Sequence, residues 1–208
     1  MLAVWFAAEL AAGTPQPLVK GCAAAGIERV ASLVVLTGEC RSAAQIVHLE
    51  RRMEVKELGH LVLYVRNLDR SASFYRDVLG WRQIMGGPGD EPQPFRAAAY
   101  SAPGGRTHHE LLLIEVGDDA AGLPPGRRVG LYHFGLKVGD SDDELRDALA
   151  TLHANQVNVV GASDHTVTHS LYITDPDGNE IELYVDVPGV DWKSNPALVT
   201  APTRPLRL

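Results

Sequence analysis

The chain has 208 residues, a formal net charge of -7 and two cysteines, Cys22 and Cys40, both near its start. That length suits one domain or two small modules. The acidic balance and the lack of a long apolar run exclude nucleic acid and membrane as expected partners, and the sparse cysteines argue against a disulfide scaffold or thiolate metal site and make a cytoplasmic location the expectation.

Residues 1–52 are rich in alanine and carry no chemical motif. They open like a signal peptide, but there is no basic leading region and Glu9 interrupts the apolar run. The expectation is an N-terminal extension over 1–52, poorly ordered or not native, with Met53 as the natural start. The main domain is then 53–190, with a tail over 191–208. "LGHLVLYV" reads as a strand from its β-branched, aromatic and aliphatic content. "NLDRSASFYRDVLGW" reads as a helix, with Phe74, Val78 and Leu79 at helical spacing and Gly80 as the stop. "WRQIMGG", "FRAAAYSA" and "HHELLLIEV" read as three strands, the first two separated by the loop "GGPGDEPQP". Module one, over 57–117, is therefore βαβββ.

After the linker "DDAAGLPPGRR" the order recurs. "GLYHFGLKV" is a strand, and "SDDELRDALATLHANQV" is a helix with Ser141 and Glu144 in capping-box register. "NVVGAS" and "SLYIT" are strands, "DPDG" is a turn, and "NEIELYVDV" closes module two over 129–187. His60 and His133 are 73 residues apart, and so are His109 and Glu182. Within each half the pair is separated by the same 49 residues. Packed about a pseudo-twofold axis, these four side chains are candidates to converge. On this register His109 looks inward while His108 and Glu110 look the other way. Seven of the eight histidines lie between His60 and His169, which points to a nitrogen/oxygen metal site. A Glu182 buried between Ile181 and Leu183 is costly without a cation nearby.

The segments "GHLVLYVRNLDRSASFYRDVLGW", "GLYHFGLKV" and "LYITDPDGNEIELYVD" resemble the vicinal oxygen chelate superfamily over about residues 57–187. That group includes glyoxalase I, type I extradiol dioxygenases and antibiotic-sequestering proteins. The fold so implied is α+β: two tandem βαβββ modules with mixed sheets forming an open barrel around a metal site. "HTVTHSLYITDPDGNEIE" is similar to the extradiol signature through His165, Leu171, Tyr172, Asp175, Pro176, Gly178 and Glu182. Ser163 departs from it. "THHELLL" is similar to the strand that carries the acid-base histidine of those enzymes, at His109.

The resemblance implies Fe(II), with Mn(II), Zn(II) or Ni(II) as alternatives, held by His60, His133 and Glu182. Two histidines and a carboxylate leave open positions for a catechol-like aromatic and O₂. His109 is implied as the acid-base that deprotonates the catechol, with His165 and Tyr172 as hydrogen-bond donors. A homodimer or higher homo-oligomer is expected from the resemblance alone. Two rival functions remain. A glyoxalase-like lyase or isomerase would use His60, Glu110, His133 and Glu182, with Glu110 brought inward by a one-residue slip. A metal-free antibiotic-binding cup of the same fold is the other. His108, His153 and His169 read as surface or packing residues, with His169 the best placed of them at the pocket edge. Asp175 and Asp177 read as structural, and Trp192 as an anchor for the tail.

Overall fold

A computed structural model describes residues 53–87 and 95–208. The expected extension over 1–52 lies outside the described residues, as does the centre of the loop after Gly87. Residues Val55–Leu208 form one compact unit. In it β1 (Leu61–Val65) leads into helix α1 (Leu68–Ser73), which continues as a π-helical turn over Phe74–Val78. The strands β2 (Arg82–Met85), β3 (Ala97–Ser101) and β4 (Leu111–Glu115) follow. The second half repeats the order: β5 (His133–Gly139), α2 (Asp142–Ala154), β6 (Val159–Asp164), β7 (Thr168–Thr174) and β8 (Glu180–Asp186). A short β9 (Arg204–Pro205) closes the chain.

Each half builds a mixed sheet, ordered β1-β4-β3-β2 in the first and β5-β8-β7-β6-β9 in the second. The first and last strands of each repeat pair in parallel, β1 with β4 and β5 with β8. Among the described residues no strand of one sheet pairs with the other, so the two sheets are not closed into a barrel, in keeping with the open arrangement expected. Within the C-terminal tail, β9 pairs with β6 and extends the second sheet.

Alternation places one face of each sheet in the core. Leu63, Val65, Leu111 and Leu113 point inward in the first sheet, and Leu171, Ile173, Ile181, Leu183 and Val185 in the second. Leu68, Ala72, Phe74 and Tyr75 cover the first set from the α1 segment, and Leu145 and Leu152, two turns apart, cover the second from α2. Asn67 caps α1, its side chain accepting from Arg70 N at 2.9 Å. Ser141 caps α2 as its spacing with Glu144 predicts, and the Glu144 carboxylate reaches back to Asp140 N at 2.7 Å. Gly80 ends the helical segment at φ 74°, a conformation that costs a residue with a Cβ.

The "DPDG" turn does more than reverse the chain. Asp175 is 5% exposed and accepts from Asp177 N, Asn179 N and Asn179 Nδ2 at 2.8–2.9 Å. It also accepts from Tyr75 Oη of module one at 2.8 Å. Asp177 accepts from Arg66 N, Arg70 Nη2 and Ser71 Oγ. Two carboxylates from one turn therefore clamp module two to the helix of module one. Burial, and after it the Asp175 carboxylate, push the Tyr75 phenol far above its ordinary value.

Candidate functional site

His133 is the first residue of β5, and Glu182 lies mid-strand in β8. Ile181, Leu183 and Val185 take the core face of β8, which leaves Glu180, Glu182, Tyr184 and Asp186 on the opposite face. Gly135 lies across the ladder from Glu182. A Cβ there would sit 3.3 Å from the Tyr184 ring and 3.8 Å from Glu182 Oε2, so the glycine keeps this approach open. His133 Nε2 is 3.3 Å from Glu182 Oε2. His133 Nδ1 is buried without a hydrogen bond, although Glu180 Oε1 lies 3.5 Å away.

The other carboxylate oxygen of Glu182 is held from β7. Tyr172 lies opposite Glu182 in the ladder, and Ser170 shares its face two residues earlier. Ser170 Oγ, fully buried, donates to Glu182 Oε1 at 2.6 Å. Tyr172 Oη donates to the same atom at 3.3 Å and lies 2.7 Å from His165 Nε2. Burial, and then the Glu182 charge, push the Tyr172 phenol up to about 12. His165 stands at the tight turn between β6 and β7, where Asp164 Oδ1 accepts from Thr166 N at 2.6 Å and Thr166 adopts φ 71°.

These groups open into a cavity of about 450 Å³ lined by His133, His165, Tyr172, Glu182, Tyr184 and Trp192, among others. Trp192, read either as closing the pocket or as anchoring the tail, with the tail favoured, is part of this wall. Four of the six residues singled out from the sequence, His133, His165, Tyr172 and Glu182, are thus brought together.

The other two, His60 and His109, form a second group. His60 sits just before β1 rather than inside a strand. Its ring centroid is 4.7 Å from that of His109 and 5.7 Å from that of His108. His109 therefore does face His60, but His108 is on the same side, contrary to strict alternation. The reason is that 107–110 is a bend rather than strand, with Thr107 Oγ1 within 2.8 Å of Gly59 O and 2.7 Å of His109 O. Burial, then His108 and His60, lower the His109 imidazole below its ordinary value, which keeps it neutral at neutral pH. Its Nε2 is buried and unpartnered.

Glu110 does turn the other way. Its carboxylate accepts from Ala102 N at 2.8 Å, Arg106 N at 3.2 Å and Ser101 Oγ at 3.3 Å, which makes it the organiser of the turn before β4. The ladders also depart from the sequence repeat. Leu61 pairs with Leu111 in the first sheet, whereas Phe134 pairs with Ile181 in the second, a difference of three residues. The bend absorbs that difference and still delivers His109 to His60.

His60 and His109 are not among the residues lining the Glu182 cavity. Among the described residues, no three histidine, cysteine or carboxylate side chains converge closely enough to hold a metal ion. His133 and Glu182 supply two donors of the expected chemistry, and the third, His60, is presented elsewhere on the same chain. Imidazole and carboxylate donors fit Fe(II), Mn(II), Zn(II) and Ni(II).

His169, read as a surface or packing residue and the best placed of those for the pocket edge, lies opposite Val185 on the core side of its strand. Its Nδ1 is 2.6 Å from Asp142 Oδ1, tying β7 to the start of α2. Sequence reading did not single out Ser170, although its place two residues before Tyr172 carries that signal. Nor did it single out Thr203, 3.1 Å from His165 Nδ1, for which no local motif exists.

Several known proteins resemble this chain. A catechol-2,3-dioxygenase of Bacillus subtilis (strain 168) is 36% identical over 140 residues, 67% of this chain and 45% of that relative. A biphenyl-2,3-diol 1,2-dioxygenase of Rhodococcus globerulus is 31% identical over 62% of this chain and 63% of its own length. The chain thus spans about half to two thirds of these two relatives. A lactoylglutathione lyase of Neisseria meningitidis is 28% identical over 64% of this chain and 94% of that one. Among solved structures, a glyoxylase/bleomycin resistance protein/dioxygenase domain from Frankia sp. EAN1pec superposes with a TM-score of 0.53 at 24% identity, covering 64% of this chain and 99% of that one. The family model for the glyoxalase superfamily matches residues 57–183, the stretch that holds both βαβββ repeats and both histidine groups. The chain belongs to the Glyoxalase/Bleomycin resistance protein/Dioxygenase superfamily.

Proposed function

We propose that the protein is an extradiol-type ring-cleavage dioxygenase acting on a catechol-like aromatic with O₂, using Fe(II) held by His60, His133 and Glu182. The observation that carries this reading is the position of Glu110. A lyase-type set of four ligands needs a glutamate beside His60. Here Glu110 is committed to three hydrogen bonds in a turn, and the residue facing His60 is His109. The similarity to a catechol-2,3-dioxygenase at 36% identity supports the same reading.

Bound iron would supply a path for electrons from the catechol to O₂. The protein groups do the rest. His109, neutral at neutral pH, takes a proton from a catechol hydroxyl and later returns one to the departing oxygen. Tyr172 and His165 offer hydrogen bonds to the substrate oxygens. Trp192, Tyr184 and Val199 line the cavity and give an aromatic ring an apolar surface to lie against.

One chain does not bring His60 to His133 and Glu182, so the reading includes a homodimer in which a second copy supplies His60 and His109. Val62 and Tyr64, on the outward face of β1 just after His60, are 42% and 70% exposed. They are apolar surface for that contact. A twofold axis would complete two equivalent sites at once.

The test compares protein loaded without oxygen with Fe(II), Zn(II) or Ni(II), assaying each form for catechol-dependent oxygen uptake and for isomerisation of a hemithioacetal. Uptake with iron alone is the expected result. Tight zinc or nickel binding with isomerisation and no uptake would transfer the assignment to the lyase chemistry and to Glu110.

A further inference from the structure

The cavity extends past the groups assigned to the diol. Along β8, Glu182, Tyr184 and Asp186 line it in turn. Across the ladder on β7, Tyr172 lies opposite Glu182, Ser170 opposite Tyr184 and Thr168 opposite Asp186. At about 3.3 Å per residue, the step from Glu182 to Asp186 covers about 13 Å of strand. A ring whose two oxygens meet the His133 and Glu182 end stops beside Tyr184, short of Asp186. The volume agrees. A sealed apolar cavity of about 150 Å³ is enough to take up benzene, and this cavity is about 450 Å³.

The part that a single ring leaves unfilled has two kinds of wall. Val167, Trp192 and Val199 give it apolar surface, and Asp186 gives it a carboxylate. Asp186 Oδ2 accepts from Lys137 Nζ at 2.6 Å. The same ammonium pairs with Asp140. One lysine thus serves two carboxylates, so Asp140, Lys137 and Asp186 together keep a negative charge in excess. An ionised carboxylate has about four acceptor sites on its two oxygens, and Lys137 takes one of them. Asp186 therefore retains acceptor capacity for a donor brought in by a ligand. The Lys137 and Asp186 side chains are 39% and 42% exposed, which screens the pair and keeps any charge selectivity modest.

We propose that Asp186 is a specificity-determining residue, and that the substrate is a catechol bearing an apolar arm that ends in a cationic amine. The arm lies against Trp192 and Val199, and the amine donates to the Asp186 carboxylate. The excess negative charge at that end disfavours an arm that ends in a carboxylate. This assignment rests on the diol-binding role given to the His133 and Glu182 end of the cavity, but the preference is readable without turnover.

The test is calorimetric titration of the full-length, Fe(II)-loaded protein without oxygen. The probes are ethylcatechol, aminoethylcatechol and dihydroxyphenylacetate, with the arm at the same ring position in each. The wild type is expected to bind the amine about three- to tenfold more tightly than the ethyl compound, the range for a charge-assisted bond in a partly exposed setting. It is expected to bind the acid more weakly than either. Asp186→Asn is expected to bring the ratio of amine to ethyl affinity close to one. Lys137→Gln, which leaves Asp186 without its counter-charge, is expected to widen that ratio. Equal wild-type affinities for the amine and the ethyl compound, an undiminished ratio in Asp186→Asn, or a narrowed one in Lys137→Gln would overturn the proposal. An amine preference with no oxygen uptake once air is admitted would instead count against the dioxygenase reading and leave the role of Asp186 standing. Failure of all the probes to bind would overturn both.

Discussion

At Glu182, one carboxylate has two different neighbourhoods. Oε1 takes hydrogen bonds from Ser170 and Tyr172, while Oε2 faces His133. A carboxylate held this way on one side is oriented to offer the other oxygen to a metal. Glu182→Ala is expected to abolish metal binding, read as metal per chain after desalting. Ser170→Ala is expected to weaken metal affinity by about 10–100-fold without removing it, since it deletes the orienting bond and no ligand. His109→Ala is expected to keep the metal and lose about 10²–10⁴-fold in turnover, the usual span for a lost acid-base group. If that variant also loses metal, His109 is a ligand. At this scale the sequence repeat carried real information, because the 49-residue spacing picked out His133 with Glu182 and His60 with His109. It could not place Ser170 or Thr203, whose contacts come from a ladder register and from a distant segment laid across β6.

Among the elements, the strands were legible because alternating burial writes itself into residue type, as in β8, where Ile181, Leu183 and Val185 alternate with Glu180, Glu182 and Tyr184. Their ends were less so. Both histidines read as mid-strand stand at or before a strand start, and the bend over 107–110 replaces the first part of a strand read from "HHELLLIEV". A bend is set by hydrogen bonds such as Thr107 to Gly59, which no local pattern announces. The junction of α1 with the "DPDG" turn gives a pH prediction. The unfolded Tyr75 phenol ionises near its ordinary value of about 10, whereas the folded protein holds that proton to a much higher pH. The contribution is therefore fully present below about pH 10 and is lost as pH rises beyond it. Urea midpoints should fall above that pH in the wild type and fall less steeply in Tyr75→Phe. At neutral pH the same substitution should cost about 1.5–3 kcal/mol, the usual value of a hydrogen bond to a charged group. Equal stability of the two proteins at neutral pH would show that the clamp contributes nothing.

For the whole molecule, the sequence repeat predicts two similar halves and the structure has them, each with its own sheet and its own histidine group. What the repeat could not tell is whether the halves face one another within one chain. The two sheets do not close into a barrel, and the donors remain two groups. A homodimer of the proposed kind predicts complementation. His60→Ala and Glu182→Ala, each without metal, should regain on the order of a quarter of the wild-type sites when mixed and reassembled, because random pairing gives mixed dimers with one intact site each. No recovery would place all three ligands within one chain. No helix among the described residues is long and apolar enough to cross a membrane. The most direct measurement of the central claim is the product formed from a catechol by the Fe(II)-loaded protein under isotopically labelled O₂. The account predicts one O₂ consumed per catechol, a ring opened next to the hydroxyl pair and both labelled atoms in the product. Iron bound at one per site with no oxygen consumed across a panel of catechols would contradict it.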